Sequence, residues 1–131
     1  MTDQVRPPPP PFLDFISDGY LALNHEWRYV YLNPAALRIL GRRAEDLLGR
    51  VIWEVYPDAA ERFGAPYRQA MTGRTEVEVE DYAPPLDLWT HLRVLPVPGG
   101  VGVLFRDVTE QKRAAQYQER LLALNALLMA V

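Results

Sequence analysis

Hydrophobic and polar positions change rhythm along this chain, and each change predicts an element. From Thr75 to Tyr82, Val77 and Val79 alternate with Glu76, Glu78 and Glu80, the period-two pattern of a strand with one buried and one wet face. Pro84 and Pro85 turn the chain into a second strand, Leu86 to Leu95. There Leu86, Leu88, Thr90, Leu92 and Val94 share a face opposite Asp87, Trp89, His91 and Arg93. Pro96 to Gly100 predicts the next turn, and Val101, Val103 and Phe105 mark a strand over Val101 to Arg106. After Asp107-Val108-Thr109-Glu110 the period becomes helical. Ala114, Tyr117, Leu121, Leu124, Leu128 and Val131 recur at spacings of three and four, the pattern of a helix that pairs with another helix. The pattern lasts only about two and a half heptads, short of the three or four that define a coiled coil, so pairing by this helix alone is marginal.

The first half of the chain is built from shorter pieces. Tyr20 to Leu23 and Trp27 to Leu32 read as two strands around a turn at Asn24-His25-Glu26. Both alternate sets of the second strand, Trp27, Tyr29 and Tyr31 against Arg28, Val30 and Leu32, are apolar enough to face inward. A helix then carries a full set of boundary signals: Asn33 as N-cap, Pro34 at the first position and Gly41 past the end. Ala44 to Gly49 predicts a single turn, and Val51 to Tyr56 a short segment ended by Pro57. Asp58 and Glu61 stand at capping-box spacing before a helix striped by Ala60, Phe63, Tyr67, Ala70 and Met71, which Pro66 should bend or interrupt and Gly73 should end. Upstream, Phe12, Leu13, Phe15 and Ile16 predict a short amphipathic helix stopped at Gly19. Pro7 to Pro11 predict an extended polyproline arm, a spacer or disordered leader with a docking ligand for an aromatic groove as the alternative. Two strands, several helices and three antiparallel strands make an α+β domain with helices on one face of a five-stranded sheet.

Composition narrows the chemistry. At 131 residues with 49% apolar residues the chain is sized for one domain with a real core, while 12 prolines and 8 glycines supply many turns. A net charge of -3 leaves no basic face for nucleic acid. The chain has no cysteine, which excludes disulfides and thiolate metal sites and fits a reducing, cytoplasmic setting. The apolar run Leu121 to Val131 is broken by Asn125 and falls far below the roughly 18 residues of a membrane span. Met1 is followed by Asp3 and prolines, unlike a signal segment.

Three local words, in this order, resemble the PAS domain, a sensory module of bacterial signalling proteins, over residues 13 to 112. They are Tyr31-Leu32-Asn33-Pro34-Ala35-Ala36, Ala44-Glu45-Asp46-Leu47-Leu48-Gly49-Arg50 and Asp107-Val108-Thr109-Glu110-Gln111-Lys112-Arg113. The resemblance implies a PAS fold: an antiparallel sheet in the order 2-1-5-4-3, a cavity between sheet and helices, and a C-terminal coiled-coil-like helix. It divides the chain into a proline-rich leader (1-11), a PAS domain with a short N-terminal helix (12-109) and a signalling helix (110-131). The stripe of the terminal helix predicts a concentration-dependent homodimer, and the resemblance implies an effector in the same chain beyond Val131, most often a histidine kinase or a diguanylate cyclase.

Trp53, Tyr56, Phe63, Tyr67, Thr90 and Leu92 are the candidates to line such a cavity. Two readings stay open, a pocket for a small organic ligand and a core that these side chains simply fill. Without cysteine, the flavin and coumaroyl adducts known in this family are excluded. Haem members present a histidine from the long helix, and Asp58 to Thr72 has none. His25 falls in a turn, and His91 is better placed to pair with Glu78 or Glu80 across neighbouring strands. Two histidines without clustered carboxylates argue against a metal site, and no catalytic triad, phosphate loop or paired carboxylates supports an enzyme.

Asp107 or Thr109 is the candidate cap of the last helix and hence the candidate transmission point. With Asp107 as cap, Glu110 falls in capping-box position. Such a cap is worth about 1 kcal/mol, within the range of allosteric couplings, and an ordinary cap that transmits nothing is the competing reading. The candidate dimer helix presents Tyr117, Leu121, Leu124 and Leu128, with Phe12, Phe15 and the sheet adding contacts. A packed dimerisation module without ligand is the competing reading.

Overall fold

In the computed structural model, which describes residues 11–14 and 16–130, a 3-10 turn (Pro11–Asp14) leads into β1 (Gly19–Asn24) and β2 (Tyr29–Leu32). Then come α1 (Pro34–Leu40), α2 (Ala44–Leu47), α3 (Ile52–Val55) and α4 (Ala59–Gly73), followed by β3 (Val77–Ala83), β4 (Leu88–Val97), β5 (Gly100–Asp107) and α5 (Thr109–Met129). The strands form one antiparallel sheet in the order β2-β1-β5-β4-β3, as the family resemblance implied. One core joins Leu21 and Leu23 of β1, Val94 of β4 and Val101, Val103 and Phe105 of β5 to Ala36 of α1 and to Phe63, Tyr67, Ala70 and Met71 of α4.

Asn33 does more than cap a helix. It is fully buried, and its Oδ1 accepts from the Ala36 amide at 2.8 Å and from the Tyr20 amide at 2.9 Å. Its Nδ2 donates to the carbonyls of Leu13 at 2.8 Å and Asp18 at 3.1 Å. One side chain therefore ties the start of α1 to the start of β1 and to the segment before it. Gly41 closes α1 in the left-handed region, φ 66°, as its place after the last apolar residue predicted.

Several boundaries differ from expectation. Trp27 is not in a strand: it sits at φ 64°, in a turn held by Asn24, whose side chain accepts from the Glu26 and Arg28 amides. A register shift follows, with Ala22 opposite Tyr31 but Leu23 opposite Tyr29. The extra residue between them, Val30, forms a bulge, which lets Tyr29 and Leu32 both face inward. Asp58 has helical φ and ψ and makes no cap, because the backbone carbonyls of Tyr56 and Pro57 already take the amides of Ala59 and Ala60. Pro66 does not interrupt α4. Burial of Phe63, Tyr67, Ala70 and Met71 along its core side outweighs one missing hydrogen bond.

The β4–β5 turn is tighter than predicted, with Pro96, Val97 and Gly100 inside strands and Gly99 at φ 84°. The N-terminal amphipathic helix is only the 3-10 turn, with Leu13 buried and Phe12 exposed. The proline leader, Phe15 and Val131 lie outside the described residues, apart from Pro11.

Two glycines of β5 separate a backbone clash from a side-chain one. A Cβ at Gly100 would run into the Leu23 carbonyl and the Asn24 Cα, whereas at Gly102 it would meet the Tyr20 ring and hydroxyl. Backbone paired in a central ladder cannot retreat; the tyrosine can turn. Gly100→Ala is expected to cost about 2 to 3 kcal/mol and Gly102→Ala about 1. Equal midpoints in urea unfolding would contradict this.

Candidate functional site

Between the sheet and the helices lies a cavity of about 70 Å³. The sheet supplies Leu21, Tyr29, Thr90, Leu92 and Phe105, and α4 supplies Ala59, Arg62, Phe63 and Tyr67. Pro84 and Pro85 of the following turn complete the lining, and the wall is almost wholly apolar. Of the six side chains singled out in the sequence, Tyr56, Phe63, Tyr67, Thr90 and Leu92 line this cavity. Trp53 does not. Its ring packs 5.6 Å from Trp27 and 5.4 Å from Tyr67, centre to centre, in an aromatic cluster. Tyr56 leaves the helical path at φ −128° and ψ 76° and enters the cavity wall.

Three tyrosines set the polar character of the wall. Burial pushes the Tyr67 phenol well up. Burial does the same for Tyr29, aided by the neighbouring Tyr67 and Tyr56 and opposed by Arg42. At Tyr56 burial again raises the phenol, and the Arg42 guanidinium offsets part of the effect. All three are therefore neutral at physiological pH and available as donors.

The buried hydroxyl of Tyr56 has no hydrogen-bond partner among the described residues. Arg42 sits over the Tyr56 ring, 5.3 Å from its centre, without making a hydrogen bond of good geometry to the oxygen. The Thr90 hydroxyl is already engaged, donating to the Asp81 carbonyl at 3.1 Å. Arg62 is held by Asp81 at 3.0 Å.

Phe105 was visible in the sequence as an apolar position of an alternating strand, whereas Leu21 was not singled out within its strand. Tyr29 became a wall residue through the Val30 bulge, and Arg42 carries no sequence signal at all. His91 is placed as its strand neighbours required, 2.7 Å from Glu78 on the exposed face.

The junction of β5 and α5 is tied to the cavity wall through Thr90, which is paired in register with Asp107. Asp107 Oδ1 accepts from the Thr109 amide at 2.9 Å, and Val108 rather than Asp107 occupies the cap position. The expected capping box is thus replaced by a tight turn over two residues, which leaves Glu110 one position too early to complete the box. Thr109 does not cap the helix; its hydroxyl accepts from the Trp89 amide at 2.9 Å. The Val108 amide in turn donates to the Trp89 carbonyl at 2.8 Å. Lys112 then lies 4.6 Å from the centre of the Trp89 ring and pairs with Glu80 at 3.1 Å. Trp89, missed in the sequence because it stands on the wet face of its strand, is the residue that moors α5.

Beyond that first turn α5 stands clear of the body. None of its residues is buried, and Tyr117, Leu121, Leu124 and Leu128 remain 46 to 67% exposed. Among the described residues no helix is long and apolar enough to cross a membrane, and no three His, Asp or Glu side chains gather as a metal site would need.

A family model described as the PAS fold matches residues 13–113. Among solved structures, a domain of an HTR-like protein from Haloarcula marismortui is 22% identical with a TM-score of 0.61, covering 72% of this chain and 100% of that one. The PAS domain of a Colwellia psychrerythraea protein is 16% identical at a TM-score of 0.64, covering 76% and 92%. A sensory box sensor histidine kinase from Vibrio cholerae is 20% identical at 0.61, covering 75% and 87%. Among curated proteins none matches the chain.

Proposed function

The chain belongs to the PAS-fold family, and from that premise we propose that it is a regulatory sensor module. In this reading it binds a small ligand in the cavity and relays occupancy through α5 to an effector in the same chain, such as a histidine kinase. The likeness in fold to the sensor histidine kinase from Vibrio cholerae supports the choice of effector class. Residues 12-109 form the sensing body, 110-131 the connector, and the apolar stripe of α5 pairs with a second copy. The module regulates and does not catalyse.

One observation carries the reading. Thr90, on the cavity wall, is paired in register with Asp107, whose carboxylate holds the first turn of α5, and it follows Trp89, which moors Thr109, Val108 and Lys112. A ligand that displaces Thr90 therefore acts on both moorings at once. Each is worth about 1 kcal/mol, comparable with a typical coupling free energy.

Native mass spectrometry of the purified chain should show a retained small molecule, or a metabolite panel should yield one that raises the melting temperature. Hydrogen exchange at Trp89, Val108 and Thr109 should then change on binding, and Thr109→Val should remove most of that change at a cost of about 1 kcal/mol. A bound ligand that leaves those amides untouched would sink the relay. A clean apo mass with no thermal shift would favour the second reading, a packed dimerisation module, for which the small cavity speaks.

A further inference from the structure

The cavity has an outer neighbour. A second hollow, of about 240 Å³, shares Leu40, Tyr56, Pro85 and Leu86 with it, so the two are neighbours across these four residues. The inner chamber is apolar and its one cation, Arg62, is tied to Asp81. The outer hollow carries Arg42, which has no ion-pair partner among the described residues, and Asp58 on the same wall. Tyr56, common to both linings, is only 8% exposed, and its hydroxyl has no partner among the described residues.

We propose that the site takes a small amphipathic carboxylate, its apolar body in the inner chamber and its carboxylate in the outer hollow, where Arg42 pairs with it and Tyr56 donates to it. This rests on the sensor reading above and names its ligand class. A buried donor without a partner is costly to keep, and an acceptor that arrives with the ligand recovers that cost. A guanidinium offers a carboxylate two parallel bonds, and an exposed, unpaired one gives up little to do so. Size sets the body. Benzene occupies an engineered apolar cavity of about 150 Å³, so a chamber of about 70 Å³ suits a short branched aliphatic group better than a ring. Chamber and hollow together are on the order of the roughly 300 Å³ at which small-molecule sites begin. Asp58 opposes the anion and moderates its affinity.

The probes are 3-methylbutanoate and its neutral isostere 3-methylbutanamide, titrated into the 131-residue chain by calorimetry at neutral pH, with the Tyr56 ring and Leu92 methyl resonances locating the site. The acid should bind about tenfold more tightly than the amide. Arg42→Ala should bring the acid down to the level of the amide and leave the amide unchanged, while Asp58→Asn should tighten the acid alone. Tyr56→Phe, which removes an unpartnered hydroxyl, should raise the melting temperature of the free chain and yet weaken the acid, a combination that a purely structural role would not give. Equal affinity for acid and amide, indifference to Arg42→Ala, shifts remote from Tyr56 and Leu92, or no binding of the acid at millimolar concentration would overturn the proposal. A neutral molecule bound in the chamber without dependence on Arg42 would overturn the carboxylate class while leaving the sensor reading intact.

Discussion

Asn33→Ala should lower the free energy of unfolding by about 4 kcal/mol, the largest effect expected of any single polar substitution in this chain. The side chain makes four hydrogen bonds from a fully buried position, two as acceptor and two as donor. Loss of the helix cap costs about 1 kcal/mol. The Tyr20 amide and the carbonyls of Leu13 and Asp18 lose partners as well, and each group left unsatisfied in the interior costs about 1 to 3 kcal/mol. Against a typical stability of about 5 to 15 kcal/mol, such a loss leaves the variant marginal at body temperature.

Asn33→Asp sharpens the test, because it keeps both acceptor bonds but points a carboxylate at two carbonyls. Burial and those carbonyls raise its folded-state pKa above the unfolded value, since only the protonated acid can donate. The variant should therefore be least stable at neutral pH and recover as the pH falls toward the carboxylate range, opposite in sign to a salt-bridged aspartate. Urea unfolding across pH measures both variants. A cost below about 1 kcal/mol for Asn33→Ala would show that water replaces the side chain.

Replacing Leu121 and Leu124 together by Asp should convert a dimer to a monomer in light scattering. Both leucines are about half exposed on a helix that has no buried residue and leaves the body after its first turn. In a two-fold pair the substitution removes four leucines from the interface, each worth roughly 1.5 to 3 kcal/mol when buried. It also brings carboxylates together. Association must overcome about 4 to 15 kcal/mol of lost freedom, so the dissociation constant should rise by roughly a thousandfold or more when these leucines are lost. The far-ultraviolet signal of the body should persist, because the contacts that moor α5 lie at its start, at Val108, Thr109 and Lys112. An unchanged dimer mass would place the interface elsewhere, on the sheet or at Phe12.

The sequence was most legible where one local rule had no competitor. Asn33, Pro34 and Gly41 bounded α1, and alternation found β3, β4 and β5, because caps and periodicity depend on neighbours within one turn or one strand. It misled where a different local solution was equally short. Asn24 built a wider turn and displaced Trp27 from the strand, backbone carbonyls did the work expected of Asp58, and Asp107 reached the nearer Thr109 amide instead of completing a box with Glu110. Five of the six proposed cavity residues meet around one space. Trp53, whose neighbours in sequence are no guide to its partners in space, joins Trp27 and Tyr67 instead.

By itself, then, the sequence determined the fold class, the succession of elements and the turn from strand to helix at Asp107, all consequences of local pattern and short-range hydrogen bonding. Only the tertiary structure decided that Tyr56 would be left without a partner, that Arg42 would stand over it, and that Trp89 would moor α5. Those facts depend on which side chains from distant segments arrive at the same place, and packing settles that for the chain as a whole.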